Sequence, residues 1–286
     1  MTVQIDAVQK ADLDRDFSPS RTVERLDHYI WLYREQSRIA REAFGSAALL
    51  DMAYGPDDRH VLDYFPCGVA DQPLVVFIHG GFWQALSKDF ASFPAPVMRD
   101  GGANYAAISY RLGQTTRLDG IVDDVVAALA LLVARAPDLG FDPGRIVLAG
   151  HSAGAHLAAM AAVRGIAGLS GLAGLHLMGG VFDLIPIRKS YVNDVMRMDE
   201  AEAARNSPVQ RIPLLRCPVA MTWAEHETPG FHRQSEAMAV AWRLLMPALD
   251  VYIQPGLNHF NSLMDLADPG SRMTRATLEL AFGKTR

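Results

Sequence analysis

The pentapeptide GHSAG (150–154) restricts the fold of this chain more than any other feature, because of what stands on either side of it. The apolar run RIVLAG (145–150) leads into it, and the alanine-rich run AGAHLAAMAAV (153–163) follows. A buried strand must therefore become a helix within a few residues. The two glycines let strand and helix approach closely, and so tight a turn predicts a strained backbone at Ser152. The Ser152 hydroxyl should project at the helix N-terminus, where the helix dipole favours negative charge.

Strand-like and helical runs alternate along most of the chain. The strand-like runs cover 61–65, 74–79, 103–110, 145–150, 174–180, 218–224 and 250–255. The helical runs cover 22–44, 119–136, 153–163, 229–246 and 262–281. For the helix over 119–136 we expect Asp119 as its N-cap and Pro137 as its stop. This alternation predicts an α/β fold, with a mostly parallel sheet and helices on both faces.

The length of 286 residues fits one α/β domain over the whole chain. Residues 1–50 are interpreted as an N-terminal arm, loose over 1–20, followed by a helix. Residues 181–213 interrupt the alternation with three prolines, a polar acidic helix and no strand. Long connections in compact domains are usually functional, so this segment is interpreted as a small lid over the sheet edge. An ordinary long connection is the alternative.

The charge and the cysteine and histidine content restrict the kinds of partner and ligand that this chain can bind. The net charge is −5 and no basic stripe occurs, which argues against nucleic acid and anionic membranes and leaves a small-molecule substrate. Cys67 and Cys217 stand far apart, and no His or Cys spacing is typical of a metal site, so neither a metal nor a cofactor is expected. No targeting or membrane-spanning run is recognisable, and a cytoplasmic location is the expectation. A homodimer is left open.

A second glycine-rich turn, HGGFW (79–83), ends the apolar strand over 74–79. A tetrahedral acyl-transfer intermediate needs backbone N–H donors aimed at its oxyanion. Gly81 and Phe82 can supply two of these donors from the turn, and Ala153 can supply a third from the residue after the serine. His79 is expected to brace the turn.

A base and an acid should follow the later strands, since the order along such chains is serine, acid, histidine. His259 comes just after the strand-like run over 250–255 and is the candidate base. Glu225 and Glu227 both follow the run over 218–224, and either could orient the imidazole. Counting from the small residue Ala224 favours Glu227, while Glu225 stays open.

Several aromatic side chains near these motifs are candidates for a substrate wall. Beside Phe82, they are Trp83, Phe90 and Tyr191. Core packing explains the same residues equally well.

Together these motifs resemble the kynurenine formamidase (arylformamidase) branch of the α/β-hydrolases, close to the hormone-sensitive-lipase-like esterases. The resemblance spans roughly 50–262 and is carried by HGGFW, GHSAG, His259-Phe260 and three longer stretches: AEHETPGFHRQS (224–235), YGPDDRHVLDYF (54–65) and NDVMRMDEAEAARNSP (193–208). It implies the α/β-hydrolase fold, with a mostly parallel, eight-stranded type of sheet, and with Ser152, Glu227 and His259 as catalytic triad. The family acid is usually aspartate, so Glu227 is a departure. Arginine often follows HGG-aromatic-Trp, where this chain has Gln84.

The resemblance implies hydrolysis of N-formylkynurenine to kynurenine and formate, a step of tryptophan catabolism. The residues by themselves indicate acyl transfer by a serine hydrolase. Three hypotheses follow: an amidase acting on aryl formamides, a carboxylesterase for small or aromatic esters, and, more remotely, a non-catalytic binding protein on a hydrolase fold.

Overall fold

An eight-stranded sheet runs through the computed structural model, which describes residues 2–283. The spatial order is β1-β2-β4-β3-β5-β6-β7-β8. Strand β2 is antiparallel to both of its neighbours, and all pairs from β4 to β8 are parallel. The strands are β1 (Leu49–Ala53), β2 (Val61–Phe65), β3 (Gln72–Ile78), β4 (Asn104–Ile108), β5 (Phe141–His151), β6 (Gly174–Met178), β7 (Val219–His226) and β8 (Leu249–Asn258).

Ten α-helices accompany the strands within residues 2–283. They are α1 (Thr2–Asp16), α2 (Leu26–Phe44), α3 (Ala95–Asp100), α4 (Leu118–Leu139), α5 (Ala153–Arg164), α6 (Leu184–Ile187), α7 (Val192–Met196), α8 (Glu200–Arg205), α9 (Pro229–Trp242) and α10 (Arg272–Phe282). One face of the sheet packs against α4, α5 and α9, and the other against α2, α3 and α10. The predicted α/β architecture with helices on both faces is confirmed.

Strand β3 shows why this sheet lies at the centre of the molecule. Leu74, Val76 and Ile78 point into the core that contains α4 and α5, whereas Val75 and Phe77 point into the core beneath α2 and α10. All five side chains are buried. A strand covered on both faces needs apolar residues at every position, which is why its sequence is continuously hydrophobic.

The expectation of a loose arm over 1–20 is wrong for the residues that the structure describes. Thr2–Asp16 is helical and Pro19–Thr22 forms a 3₁₀ turn. The polar sequence contains neither glycine nor proline before Pro19, so nothing in it breaks a helix. Tertiary contacts hold the end of α1: Phe17 is buried against Phe231. Met1 lies outside the described residues.

The predicted boundaries of α4 need two corrections. The helix begins after Arg117, and the carboxylate of Asp119 binds Arg205 and Asn206 in place of a capping bond. It continues through Pro137 and ends where Gly140 adopts the left-handed conformation, with φ of 74°. A proline in the last turn removes one backbone bond, and the left-handed glycine ends the helix.

Two further elements differ from the prediction. The helix expected over 262–281 is divided into a 3₁₀ segment (Asn261–Ala267) and α10, because Pro269 and Gly270 favour a turn between them. Strand β1 was not predicted: its residues are mostly exposed and a bulge between Leu49 and Met52 disturbs the alternation.

The segment over 181–213 contains α6, α7, α8 and a 3₁₀ turn (Pro208–Gln210), and no strand. Its acidic helix is α8, as expected from the sequence. No described helix has the length and hydropathy needed to cross a membrane.

Candidate active site

Ser152 occupies the sharp turn between β5 and α5. Its backbone has φ of 58° and ψ of −123°, a region that a residue with a side chain rarely adopts. A Cβ at Gly154 would lie 1.9 Å from the carbonyl oxygen of Ile78, and one at Gly150 would lie 2.2 Å from that of Gly154. Neither position can hold a larger residue without a shift of the backbone. The predicted turn geometry is therefore present.

His259 and Glu227 meet beyond the ends of neighbouring strands. The Nδ1 atom of His259 lies 2.9 and 2.8 Å from the two carboxylate oxygens of Glu227. Both residues are buried, with exposed fractions of 3% and 7%. An ionised carboxylate only accepts hydrogen bonds, so Nδ1 carries the proton and Nε2 keeps a free lone pair. The imidazole is thereby held in the tautomer that a general base requires.

Ser152 and His259 line the same cavity. His259 makes its side-chain hydrogen bonds to Glu227, and within residues 2–283 none joins it to Ser152 Oγ. Bonds between a nucleophile and its base are often long before substrate binds. The structure thus places the two predicted residues at one site without a direct bond between them.

Glu225, the alternative acid, is exposed near the end of β7. Its carboxylate accepts a hydrogen bond of 2.7 Å from the amide of Gly256. The structure therefore brings Glu227 to the imidazole and directs Glu225 to the backbone of β8.

Gly179, just after β6, was missed by sequence analysis. A Cβ at this position would lie 2.8 Å from Glu227 Oε1 and 3.5 Å from His259 Nδ1, and its φ is +49°. Its backbone packs directly against the carboxylate–imidazole pair, so a side chain there would displace one of them. The glycine pair at 179–180 was the only sequence signal.

The three predicted oxyanion donors lie around the nucleophile. Gly81 and Phe82 line the cavity with Ser152, and both have positive φ, 96° and 49°. Ala153 is the first residue of α5, where the amide has no partner within the helix. Among residues 2–283 no protein atom accepts a hydrogen bond from these three amides. They are free to donate to a negative oxygen.

His79 supports this turn, as expected. Its Nδ1 lies 2.9 Å from the carbonyl oxygen of Gly80, and its ring stacks on Tyr110 with centroids 4.2 Å apart. The Tyr110 hydroxyl donates to the carbonyl of His79 at 2.8 Å. Burial lowers the pKa of His79 to about 3, so this imidazole is neutral.

A second imidazole lies against the candidate base. The ring of His151 is 4.5 Å from that of His259, and both residues border the cavity. Burial, and then the neighbouring His259, holds the pKa of His151 well below its usual range. A neutral ring at this position avoids repulsion when His259 becomes an imidazolium.

The cavity beside Ser152 has a volume of about 430 Å³. Its lining is mainly apolar and aromatic: Pro19, Leu26, Ile30, Tyr33, Phe77, Phe82, Leu86, Phe90, Tyr191, Phe260 and Leu263 contribute, along with Ser20, Gln84 and Ala85. Phe90 and Tyr191 therefore lie where the substrate-wall hypothesis expects them.

Trp83 does not belong to this wall. It is fully buried and packs edge-on against His156, with ring centroids 5.0 Å apart. Its neighbour Phe82 borders the cavity, and Trp83, with φ of 59°, points into the core. For Trp83 the core-packing alternative is correct.

Much of the outer wall comes from residues before the first strand. The 3₁₀ turn at Pro19–Thr22 and helix α2 contribute Pro19, Ser20, Leu26, Ile30 and Tyr33. The segment over 181–213 contributes Tyr191. Gln84 connects to that segment, since its side-chain amide donates to the carbonyl of Val192 at 2.8 Å. Sequence analysis missed the part played by α2, whose apolar spacing signals burial without indicating a partner.

Comparisons with known proteins identify relatives that match nearly the whole chain. Kynurenine formamidase from Salmo salar is 31% identical over 298 residues, covering 97% of this chain and 98% of that protein. The enzyme of the same name from Danio rerio is 30% identical over 293 residues, with 98% of each chain covered. The BD-FAE family matches residues 64–173.

Solved structures show the same fold. A crystal structure from Silicibacter sp. TM1040, provisionally described as a thioesterase, superposes with a TM-score of 0.85 at 28% identity, covering 93% of this chain and 98% of that one. The esterase LipW from Mycobacterium marinum gives a TM-score of 0.74 at 20% identity, covering 94% and 93%. These neighbours confirm the α/β-hydrolase fold, and the near full-length identity goes further: the chain belongs to the kynurenine formamidase family of α/β-hydrolase enzymes.

Proposed function

We propose that this enzyme hydrolyses an aryl formamide of the N-formylkynurenine type through an acyl-enzyme, with Ser152 as nucleophile and His259 as base. One observation carries the proposal: His259, paired with the buried Glu227, borders the same cavity as the strained Ser152. The near full-length similarity to two kynurenine formamidases supports the substrate class.

In the first half-reaction His259 Nε2 takes the proton of the Ser152 hydroxyl as Oγ attacks the formyl carbon. The Glu227 carboxylate stabilises the imidazolium that forms. The amides of Gly81, Phe82 and Ala153 donate to the oxyanion of the tetrahedral intermediate. The C–N bond then breaks, His259 protonates the leaving arylamine, and a formyl ester remains on Ser152.

In the second half-reaction His259 takes a proton from water, which attacks the formyl ester. The same three amides hold the second oxyanion. Collapse of this intermediate returns the proton to Ser152 and releases formate. The cycle needs no group beyond those of the chain and water.

The cavity suits a small acyl group with a large aromatic leaving group. A formyl group fills only a small part of about 430 Å³, so most of the space must hold the arylamine portion. Phe82, Phe90 and Tyr191 offer ring faces and edges to it.

Rates on three substrates that share one aromatic ring test the proposal: an aryl formamide, the matching acetamide and the matching acetate ester. We expect kcat/KM for the formamide to exceed that for the acetamide by at least about tenfold, because an enzyme for formamides needs room only for hydrogen on the acyl carbon and one extra methyl group is worth about 10–200-fold in discrimination. Ser152→Ala should abolish turnover and labelling by a fluorophosphonate probe. Turnover by a folded Ser152→Ala protein would refute the mechanism.

A carboxylesterase is the second candidate, because the apolar cavity wall accepts a neutral ester as readily as a formamide. The two functions share the same chemistry and differ in the leaving group. Cleavage of the acetate without cleavage of the formamide would favour the esterase.

We also propose that the enzyme acts in the cytoplasm on a small molecule, within tryptophan catabolism. Its two cysteines, Cys67 and Cys217, are both unpaired thiols, which suits a reducing compartment. A single catalytic domain over 1–286, a lid role for 181–213 and a homodimer remain proposals. Analytical ultracentrifugation tests the last of these.

A further inference from the structure

Helix α2 holds the loop that carries His259. The hydroxyl of Tyr33 donates to the backbone carbonyl of Phe260, the residue after His259, at 2.5 Å. Tyr33 is buried, with an exposed fraction of 3%, so water competes little for this bond. Its partner lies 227 positions further along the chain.

A second tyrosine on α2 touches the same loop. The ring of Tyr29 stacks on that of Phe260, with centroids 5.7 Å apart and planes 22° from parallel. Its hydroxyl lies 3.3 Å from Asn258 Nδ2, which donates to it. Tyr29 and Tyr33 stand one helical turn apart, so one face of α2 contacts the residues on both sides of His259.

The remaining contacts of the loop explain why this support matters. Asn258 Oδ1 accepts the amides of Phe260 and Asn261, and Ser262 donates to the carbonyl of His259. These bonds fix the shape of the loop, and Gln254 of β8 donates to the carbonyl of Ser262, but the bond from α2 is the one that reaches the carbonyl of Phe260. Glu227 accepts a hydrogen bond from Nδ1 of the His259 imidazole, and α2, through Tyr33, binds the backbone of the next residue, Phe260.

Helix α2 is itself firmly anchored. Ser37 Oγ accepts the amides of Ser92 and Phe93 at 3.1 and 3.2 Å, and Tyr33 stacks on Phe93 with centroids 5.8 Å apart. The loop of His259 is therefore connected through α2 to the buried segment that follows Phe90.

We propose that Tyr33 is a positioning residue for the base, setting the distance between His259 Nε2 and Ser152 Oγ through the carbonyl of Phe260, with Tyr29 as its second support. The inference rests on the proposed role of His259. A misplacement of about 1 Å in a catalytic group costs roughly 100-fold in rate, so loss of one support should cost less than that but remain measurable.

Tyr33→Phe tests the inference in the full-length enzyme, because it removes the hydroxyl and keeps the ring that borders the cavity. We expect kcat to fall about tenfold with KM within about twofold of wild type. The rate constant for inactivation by a fluorophosphonate should fall by a similar factor, since it reports activation of Ser152 without any leaving group of the substrate.

Tyr64→Phe is the matched control. Tyr64 is also buried, and its hydroxyl donates to the carbonyl of Leu139 at 2.9 Å, away from the cavity lining. Both variants lose one buried hydrogen bond and should show a similar decrease in melting temperature. Only Tyr33→Phe should change kcat and the inactivation rate by more than about twofold.

Tyr29→Leu provides a second variant at a half-buried position outside the cavity lining, and it should lower kcat in the same direction. If Tyr33→Phe fails to fold, this variant alone decides the question. Equal kcat for Tyr33→Phe and Tyr64→Phe, or an unchanged kcat for Tyr29→Leu, would overturn the positioning role. Neither result affects the proposed function, which is tested separately by the activity of Ser152→Ala and by the rates on the formamide and the acetate ester.

Discussion

Two glutamates at the end of β7 differ completely in environment although one residue separates them. Glu227 is buried and accepts from His259, while Glu225 is exposed and accepts from the amide of Gly256. The backbone of Gly179 closes one side of the first carboxylate. A buried carboxylate stabilises an adjacent imidazolium much more strongly than one that water screens.

The two glutamates therefore predict unequal effects of the same substitution. Glu227→Gln should lower kcat by about 10³-fold or more, because glutamine no longer stabilises the cation on His259. Glu225→Gln should leave kcat within about threefold of wild type, since the carboxylate lies on the β8 backbone and the amide oxygen of glutamine can still accept from Gly256. Steady-state kinetics on both variants gives the comparison, and equal losses would argue for a shared role of the two carboxylates.

Individual site residues could be predicted from the sequence where their role depends on a local motif. The GHSAG motif identifies Ser152 and its flanking glycines, and the order serine, acid, histidine along the chain indicates Glu227 and His259. Tyr33 and Gly179 could not be found, because their partners lie on other elements at long sequence separation. Trp83 was misassigned because nothing local tells whether a residue in a turn faces the cavity or the core.

At the level of secondary-structure elements, the close contact between α5 and β3 determines the position of Ser152. The carbonyl oxygen of Ile78 lies only 1.9 Å from the position that a Cβ of residue 154 would take. Helix α5 can come this close only because glycine occupies its second position. A larger residue would push the helix, and with it the amide of Ala153, away from the sheet.

Gly154→Ala should consequently lower the melting temperature substantially and reduce activity. Overpacking of this kind costs about 1–3 kcal/mol, and contact with a rigid backbone oxygen favours the upper end. Gly171→Ala is the control, since a Cβ there meets nothing within 4 Å and no unusual backbone angle is required. Thermal unfolding of both variants measures the difference; similar melting temperatures would mean that the strand and helix can separate at little cost.

Elements with strong local patterns were predicted well, including the central strands and the helices α2, α4 and α5. Those whose structure depends on neighbours were not. Strand β1 exists because β2 offers it an edge, and α1 is held by contacts of Phe17 and of the backbone of Asp16, which accepts from Thr228. Polar composition misled in the case of α1, since helix formation does not require an apolar face.

Across the whole molecule, buried neutral histidines make stability depend on pH. His79, His156 and His176 are fully enclosed, and burial lowers their pKa values to about 3, 4 and 3. In the unfolded chain the same groups titrate near pH 6.5. Below that pH the unfolded chain binds more protons than the folded one, so stability decreases as the pH falls.

His176 does not line the cavity beside Ser152, so a substitution there isolates this effect. Its Nδ1 is 2.8 Å from Thr277 Oγ1, a contact that asparagine can keep. Each such histidine contributes up to about 1.4 kcal/mol per pH unit between about pH 6 and pH 4. His176→Asn should reduce the slope of unfolding free energy against pH by up to that amount. Urea unfolding at several pH values measures it, and a slope in His176→Asn equal to that of wild type would contradict the effect.

The division of the cavity between two parts of the chain has a consequence for how such enzymes diverge. Reactive groups follow strands five, seven and eight, whereas the outer wall arises largely from residues 19–33. Evolution can therefore exchange one wall for another and reach new substrates without rebuilding the chemistry. Tyr33 is an exception, because it belongs to the wall and also binds the loop that carries His259. Substitution of this wall residue would therefore affect the position of the imidazole as well.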